Sequence, residues 1–564
     1  VVRRKVKEEK NMLIRDILEE SVQKFGEVKA VKWLNRKEVL ERSYSEILRN
    51  VISTRKGLLA EDFAGKHIAL IGTSSVEWIE SYLGIITGCI TAVPLDAALP
   101  CEELIDLINR SDSEALFLSP KHRPYLEAFL ANCPKLQKVW MLQEEVEDVP
   151  SGVYSINELR NTGINASADV SCPSAEDIAT IIFTSGTTGK SKGVMLTQNN
   201  LASNVEAVKI SAEPGTAMLS VLPIHHAFCL VMDWLKGFSQ GATICINDSL
   251  LHMVRNMSIF KPDIMLMVPM MIETIYKRLA AADPQIPKEV LAEKVFGGKL
   301  QTIFTGGAHL DPYYIDRFAE YGVQILEGYG MSECSPVISN NTPENHKPGS
   351  IGRPLENMEI RFENGEILVK GTSVMKGYYQ MPDETAETLK DGWLHTGDKG
   401  YKLVDVLDKK VSMEEFIAQI SEEDLIAIFR GEGMCSPKVT AGTAAAFGGV
   451  TDGLTALGIP VGCCSDGPSG IRMDCGTKAF SLPNGTSFGC TFNVELVGAL
   501  YEMTGKELRL NKIDSLLGPG MNIHRNPLNG RNFEYISEDP ILTGSSGEGY
   551  GEVWNRKYDK AFLW

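Results

Sequence analysis

The sequence contains no apolar run of the ~18 residues that a helical membrane span requires. Its basic opening, Val1 to Lys10, is not followed by the apolar stretch of a secretory leader. The chain begins on Val1, and Met12 is a candidate natural start, which leaves residues 1–11 as an extension. Metal-ligand cysteine spacing is missing too. Of 12 cysteines none forms a C-x-x-C pair, and Cys463 and Cys464 are adjacent. Thiols scattered in this way read as small core residues in a reducing compartment, so a cytoplasmic location is expected. Basic excess is likewise absent. With 56 Lys and Arg against 73 Asp and Glu, the net charge of -17 argues against non-specific nucleic-acid binding. No internal repeat is visible.

What is there is a globular composition, 43% hydrophobic and 23% charged, over 564 residues, enough for several domains with sizeable cores. From Met12 to Asn50 the pattern reads helix, strand, helix. Short apolar runs then alternate with helical spacing: Lys66–Ile71, Thr91–Leu95 and Ala115–Leu118 as strands, Val76–Ile86 and Glu102–Asn109 as helices. Such alternation predicts an α/β fold with a mostly parallel sheet covered by helices. Asn161 to Asp177 is small and polar and reads as a linker or exposed loop. Gly349 to Tyr379 reads as a small β subdomain with glycine turns. Beyond Tyr401 the character changes to helices over Lys402–Arg430, with Ser412 and Glu415 in capping-box spacing, and then to glycine-rich segments.

The densest chemical signal is Thr184-Ser185-Gly186-Thr187-Thr188-Gly189-Lys190-Ser191-Lys192-Gly193, directly after the β-rich run Ile178–Phe183. Glycines let a backbone approach phosphate oxygens, hydroxyls donate hydrogen bonds, and lysine supplies a point charge. A Walker loop fits poorly, because its leading glycine is Thr184 and the following Gly193–Thr197 reads as a strand rather than a helix. The alternative is an idle Ser/Thr/Gly surface loop.

This stretch resembles the signature loop of the adenylate-forming superfamily of acyl-CoA synthetases, luciferases and adenylation domains. Further segments resemble that family in order: Pro223–Phe228, Thr305–Ala308, Gly328–Glu333 and Gly392–Asp398. The resemblance covers residues 12–401. It implies that Thr184, Ser185, Gly186, Thr187, Thr188 and Lys192 hold the ATP β- and γ-phosphates. Gly306, Gly307, Ala308 and Tyr329 would flank adenine, Ser332 would touch phosphate, and Asp398 would bind the ribose hydroxyls. Glu333 would hold Mg²⁺, and His225 and His226 would border the acyl pocket. The implied cofactors are ATP, Mg²⁺ and coenzyme A, and the implied partner is a small carboxylic acid, with a fatty acid expected. Met265, Met267, Met270 and Met271 are candidates for an apolar pocket or for ordinary core.

Past Gly400-Tyr401 the family's hinge and its catalytic lysine have no counterpart, so an impaired enzyme is expected. A second resemblance begins there. Asp466-Gly467-Pro468-Ser469-Gly470-Ile471-Arg472, Gly518–Pro527 and Gly530–Pro540 resemble family-3 glycoside hydrolases of the β-glucosidase type. Over residues 402–544 this implies an incomplete (β/α)8 barrel, with Asp466 and Arg531 binding a sugar or glucoside. The nucleophilic aspartate of that family has no counterpart either. A sheet stopping after two or three βα units predicts an uncovered apolar face and low stability. Residues 545–564 resemble neither family. Three readings stay open: an acid–thiol ligase with its small domain replaced, a truncated β-glucosidase-type hydrolase, and a chimera that binds nucleotide and catalyses little.

Overall fold

Alternating apolar runs and amphipathic helices build two large sheets. A computed structural model describes residues 13–546, apart from 168–172, 185–190, 211, 282–284, 364–365, 410, 418, 421, 435 and 476–477. The chain divides at Thr396 and Gly397 into two compact units.

In the first unit an eight-stranded sheet centres on the parallel strands Thr91–Leu95, His67–Ile71 and Ser113–Leu118. Ile178–Thr184 joins it in parallel, and Lys192–Thr197 then returns antiparallel, with Thr184 and Lys192 in register. A nine-stranded sheet runs Ala217–Ser220, Ile264–Met267, Thr302–Thr305 and Gln324–Gly330, each parallel to the next. The central residues of both sets, such as 68–71, 92–95 and 264–267, are buried and mostly apolar, as expected of parallel strands covered on both faces. Helix starts follow local chemistry. Ser75 caps Val76–Ile86 by accepting from the Trp78 N–H, and Ser43 and Glu46 form a capping box on Tyr44–Ala60.

Three sequence-based expectations need correction. The opening has two strands, not one: Lys29–Asn35 and Glu38–Ser43 form an antiparallel hairpin turning at Arg36, whose φ is +56°. Asn161–Asn165 is not linker but the end of the helix Ile156–Asn165, which Ser155 and Glu158 cap. Its small residues serve packing, since a Cβ on Gly163 would sit 1.8 Å from the Ser53 carbonyl oxygen of the neighbouring helix. Within Gly349–Tyr379 only the hairpin Met358–Glu363 and Glu366–Gly371 belongs to a separate four-stranded sheet. Arg353–Pro354 and Gly377–Tyr378 instead extend the two large sheets.

A fully buried carboxylate ties these elements together. Both oxygens of Glu80 accept from Arg42 Nη1, at 2.8 and 2.7 Å. Arg160 Nη2 donates to Oε2 at 2.6 Å, and Asn50 Nδ2 to Oε1 at 2.9 Å. The hairpin and three helices therefore share one charge cluster.

The second unit contains the helices Leu403–Leu407, Met413–Ile417, Glu422–Arg430 and Val494–Leu510. Its sheet has three strands. Ala445–Gly448 pairs antiparallel with Val461–Asp466, which pairs parallel with Ser515–Leu517. Among the described residues this is a small mixed sheet whose one parallel pair is connected through the helix Val494–Leu510. Large apolar side chains are exposed here at Leu407, Phe429, Phe492, Leu510 and Leu528, each more than three-quarters accessible. No helix among the described residues is long and apolar enough to cross a membrane.

Candidate nucleotide and acyl site

Parallel strands place their C-terminal ends on one edge, where ligands of open α/β sheets bind. Thr302–Thr305 and Gln324–Gly330 end together, with Thr305 opposite Glu327. The chain then turns through Gly306 and Gly307. Gly307 has φ +82°, a conformation that favours glycine. Beside it the strand carrying Tyr329 meets the turn Ser332–Cys334. A Cβ on Gly330 would lie 2.0 Å from the Pro336 carbonyl oxygen, so glycine is required for this close approach. Asn204 braces the turn by donating to the carbonyls of Cys334 and Val337, at 3.1 and 2.8 Å.

A cavity of about 430 Å³ opens at this edge. Gly306, Gly307, Tyr329, Ser332 and His226 line it together with an apolar set that includes Met232, Leu266 and Met271. Among the described residues, no Asp, Glu, Lys or Arg lines it. The cavity brings together the glycine turn, the tyrosine and the hydroxyl that the sequence singled out. Ala308 is exposed and does not line it. Met265 and Met267 are core residues, Met270 is exposed, and Met271 alone of the four reaches the cavity.

The His225 and His226 rings lie 4.5 Å apart between centroids and tilted by 35°, and only His226 lines the cavity. His225 Nε2 faces Asp96 Oδ2 at 3.7 Å. Burial, and next the neighbouring His226, push the His225 pKa down to about 4 against the opposing pull of Asp96, so its ring is neutral at pH 7.

Next to Ser332, Glu333 is buried, and its Oε1 accepts from the Tyr378 hydroxyl at 2.9 Å. Lys192 Nζ lies over the same tyrosine ring, 5.0 Å from its centroid. The expected phosphate cation and the expected metal carboxylate thus share one tyrosine, which the sequence reading missed. Its only signal was a Tyr-Tyr pair after Gly377. A single carboxylate suits Mg²⁺, which takes one or two protein oxygens and draws the rest of its shell from phosphates and water. Arg110 was missed as well. It donates to the Ser191 carbonyl at 2.6 Å and lies over the Phe183 ring, so it grips both stems of the phosphate loop. The π-helical segment Phe228–Lys236, which turns Phe228 and Met232 to the cavity, also escaped a 3.6-residue period.

Thr184 ends its strand at the loop. Ser185, Gly186, Thr187 and Thr188 lie outside the described residues. Asp398 belongs to the second unit, where it is exposed.

The pattern of AMP-binding enzymes matches residues 18–379. The chain belongs to the AMP-binding enzyme family. Among curated members, the peroxisomal long chain acyl-CoA synthetase 7 of Arabidopsis thaliana is 27% identical over 420 residues, 64% of this chain and 60% of that one. The long-chain-fatty-acid–CoA ligase 5 of Rattus norvegicus is 27% identical, over 70% of this chain and 66% of that one. This chain therefore spans less than two thirds of either relative. The AMP-binding fold recurs in the anthranilate CoA ligase AuaEII, solved with anthranoyl-AMP, at TM-score 0.62 and 17% identity over 89% of this chain and 91% of that one. It recurs also in the N-terminal domain of FACL13 from Mycobacterium tuberculosis, at TM-score 0.57 and 21% identity over 68% and 96%. A different relative matches a shorter stretch. The β-glucosidase of Ruminococcus albus is 63% identical over 165 residues, 29% of this chain and 17% of that one.

In the second unit Asp466 and Arg531 line one cavity of about 830 Å³, with Arg472, Asp474, Glu534 and Tyr535. Arg531 Nε donates to Glu534 Oε1, and Arg472 lies 4.0 Å from Asp466.

Proposed function

We propose that the first unit is the ATP-handling core of an adenylate-forming acid–CoA ligase acting on an apolar carboxylic acid. The observation that carries this reading is the single cavity in which a glycine turn and Tyr329 adjoin an apolar, charge-free lining. Gly306, Gly307, Ala308 and Tyr329 would flank adenine. Thr184, Ser185, Gly186, Thr187, Thr188, Lys192 and Ser332 would hold the phosphates. An acid's carboxylate oxygen attacks the α-phosphorus, the bond to the β-phosphate oxygen breaks, and pyrophosphate leaves with the charge. The thiol of coenzyme A then takes the acyl group and AMP departs. The protein contributes positioning and charge stabilisation, and Lys192 supplies a cation beside the leaving phosphates. Glu333 would hold Mg²⁺, which neutralises phosphate charge when bound. A charge-free lining favours a monocarboxylic acid with an apolar tail, such as a fatty acid, over a dicarboxylic one. The location that goes with this ATP chemistry and with reduced thiols is the cytoplasm.

ATP–pyrophosphate exchange over acids from acetate to long-chain fatty acids, with oxalate alongside, tests this. Exchange is expected to rise with apolar chain length and to be absent with oxalate. Because the family's hinge and catalytic lysine have no counterpart here, turnover is expected to be slow. Absence of exchange with ATP binding retained would leave a chimera that binds nucleotide and catalyses little.

A second reading concerns residues 402–544, proposed as a partial family-3 glycoside hydrolase joined to the ligase core. The shared cavity of Asp466 and Arg531 supports it, because carboxylate and guanidinium together recognise vicinal hydroxyls. Calorimetry with an aryl β-glucoside is expected to show binding that Asp466→Ala removes, without hydrolysis. Binding unchanged in that variant would sink this reading.

A further inference from the structure

We infer that Tyr378 is a positioning residue for the phosphates of ATP and their magnesium ion, holding Lys192 by its ring face and Glu333 by its hydroxyl. This rests on the proposed function of the first unit.

The placement is built by the backbone. Gly377 has φ +143°, and a Cβ there would lie 2.7 Å from Thr385 Cγ2, so the residue before the tyrosine is restricted to glycine. The Tyr378 N–H donates to Thr385 Oγ1 at 2.9 Å. Gly377 and Tyr378 pair with Met195 and Val194, on the strand that begins at Lys192. The Glu333 carbonyl meanwhile accepts from the Met375 N–H at 2.7 Å, which fixes the turn against the same segment. Tyr378 is buried, and its hydroxyl donates to Glu333 Oε1 at 2.9 Å.

The two ends of this side chain do different work. The hydroxyl aims one carboxylate oxygen of Glu333, as the partners behind a metal ligand generally do. The ring face gives Lys192 a seat beside the phosphate loop without neutralising it, since a cation over a ring keeps its charge. A carboxylate in place of the ring would pair with the lysine and compete with phosphate.

The two roles separate experimentally. ATP affinity is measured calorimetrically on the full chain across a magnesium titration. Tyr378→Phe keeps the ring and is expected to raise the magnesium needed for half-maximal ATP binding by about tenfold or more, with ATP affinity nearly unchanged at saturating magnesium. Tyr378→Leu loses the ring too, and is expected to weaken ATP binding about two- to fivefold even at saturation. Tyr379→Phe removes a hydroxyl that bonds Asp112 instead, and is expected to change neither quantity. The magnesium effect of Tyr378→Phe must also vanish when Glu333 is already glutamine, because the hydroxyl acts through that carboxylate. If the unaltered chain binds no ATP, the functional reading fails. If it binds ATP and Tyr378→Phe leaves the magnesium midpoint in place, or shifts it equally in the Glu333→Gln background, the positioning role is overturned.

Discussion

Replacing Glu80 with alanine is expected to destabilise the first unit by about 3–5 kcal/mol, the usual cost of breaking a buried ion pair from one side. The carboxylate is completely buried and accepts from Arg42, Arg160 and Asn50. Arg160 is itself buried, and Arg42 is held charged by this partner against its own burial. Alanine leaves two guanidiniums without their shared carboxylate, with Glu77 still 3.5 Å from Arg42 and the Thr54 hydroxyl 3.3 Å from Arg160. Urea denaturation followed by intrinsic fluorescence checks this. Glu80→Gln, which keeps the shape and one acceptor, should lose less. A loss in the alanine variant no larger than that of an exposed substitution would mean that water reaches the cluster.

Gly330→Ala should cost the site rather than the fold. The added Cβ would lie 2.0 Å from the Pro336 carbonyl oxygen and 2.9 Å from its carbon, both backbone atoms that no rotamer change can clear. The strand must therefore shift against its partner Val337, carrying Tyr329 on one side and Ser332 with Glu333 on the other. A displacement of ~1 Å in a positioning element lowers function by about a hundredfold, so ATP affinity should fall on that scale. Gly322→Ala is the matching control. Gly322 has a positive φ of +77°, which strains alanine there, but it has open space around it and does not line the cavity. It should lose a comparable increment of thermal stability with ATP binding intact.

The parts of this architecture that depend on short-range patterns were legible beforehand. Apolar runs such as His67–Ile71 and Thr91–Leu95 are five-residue buried strands, and a local period suffices to read them. The glycines around Gly306 and Gly330 were singled out by the family resemblance of their segments, and the structure adds the close backbone approach at Gly330. What escaped was non-local. Tyr378 meets Glu333 across 45 positions of sequence, and nothing in its neighbours signals that hydrogen bond. Arg110 reaches Ser191 across 81 positions. The helix end Asn161–Asn165 looked like linker because small polar residues also suit a tight crossing with Tyr44–Ala60. Only the partner helix distinguishes the two uses of the same composition.

The side chains exposed on the second unit have a cellular consequence. Leu407, Phe429, Leu510 and Leu528 stand in solvent at more than three-quarters of their area, and exposed aromatic and aliphatic groups are what holdase chaperones and quality-control proteases recognise. The proposed nucleotide site lies in the first unit, whereas the exposed apolar groups of the second are expected to shorten the lifetime of each copy. Steady-state abundance, and with it any flux through the proposed ligase site, should track the proteostasis capacity of the host more closely than the turnover of the site itself.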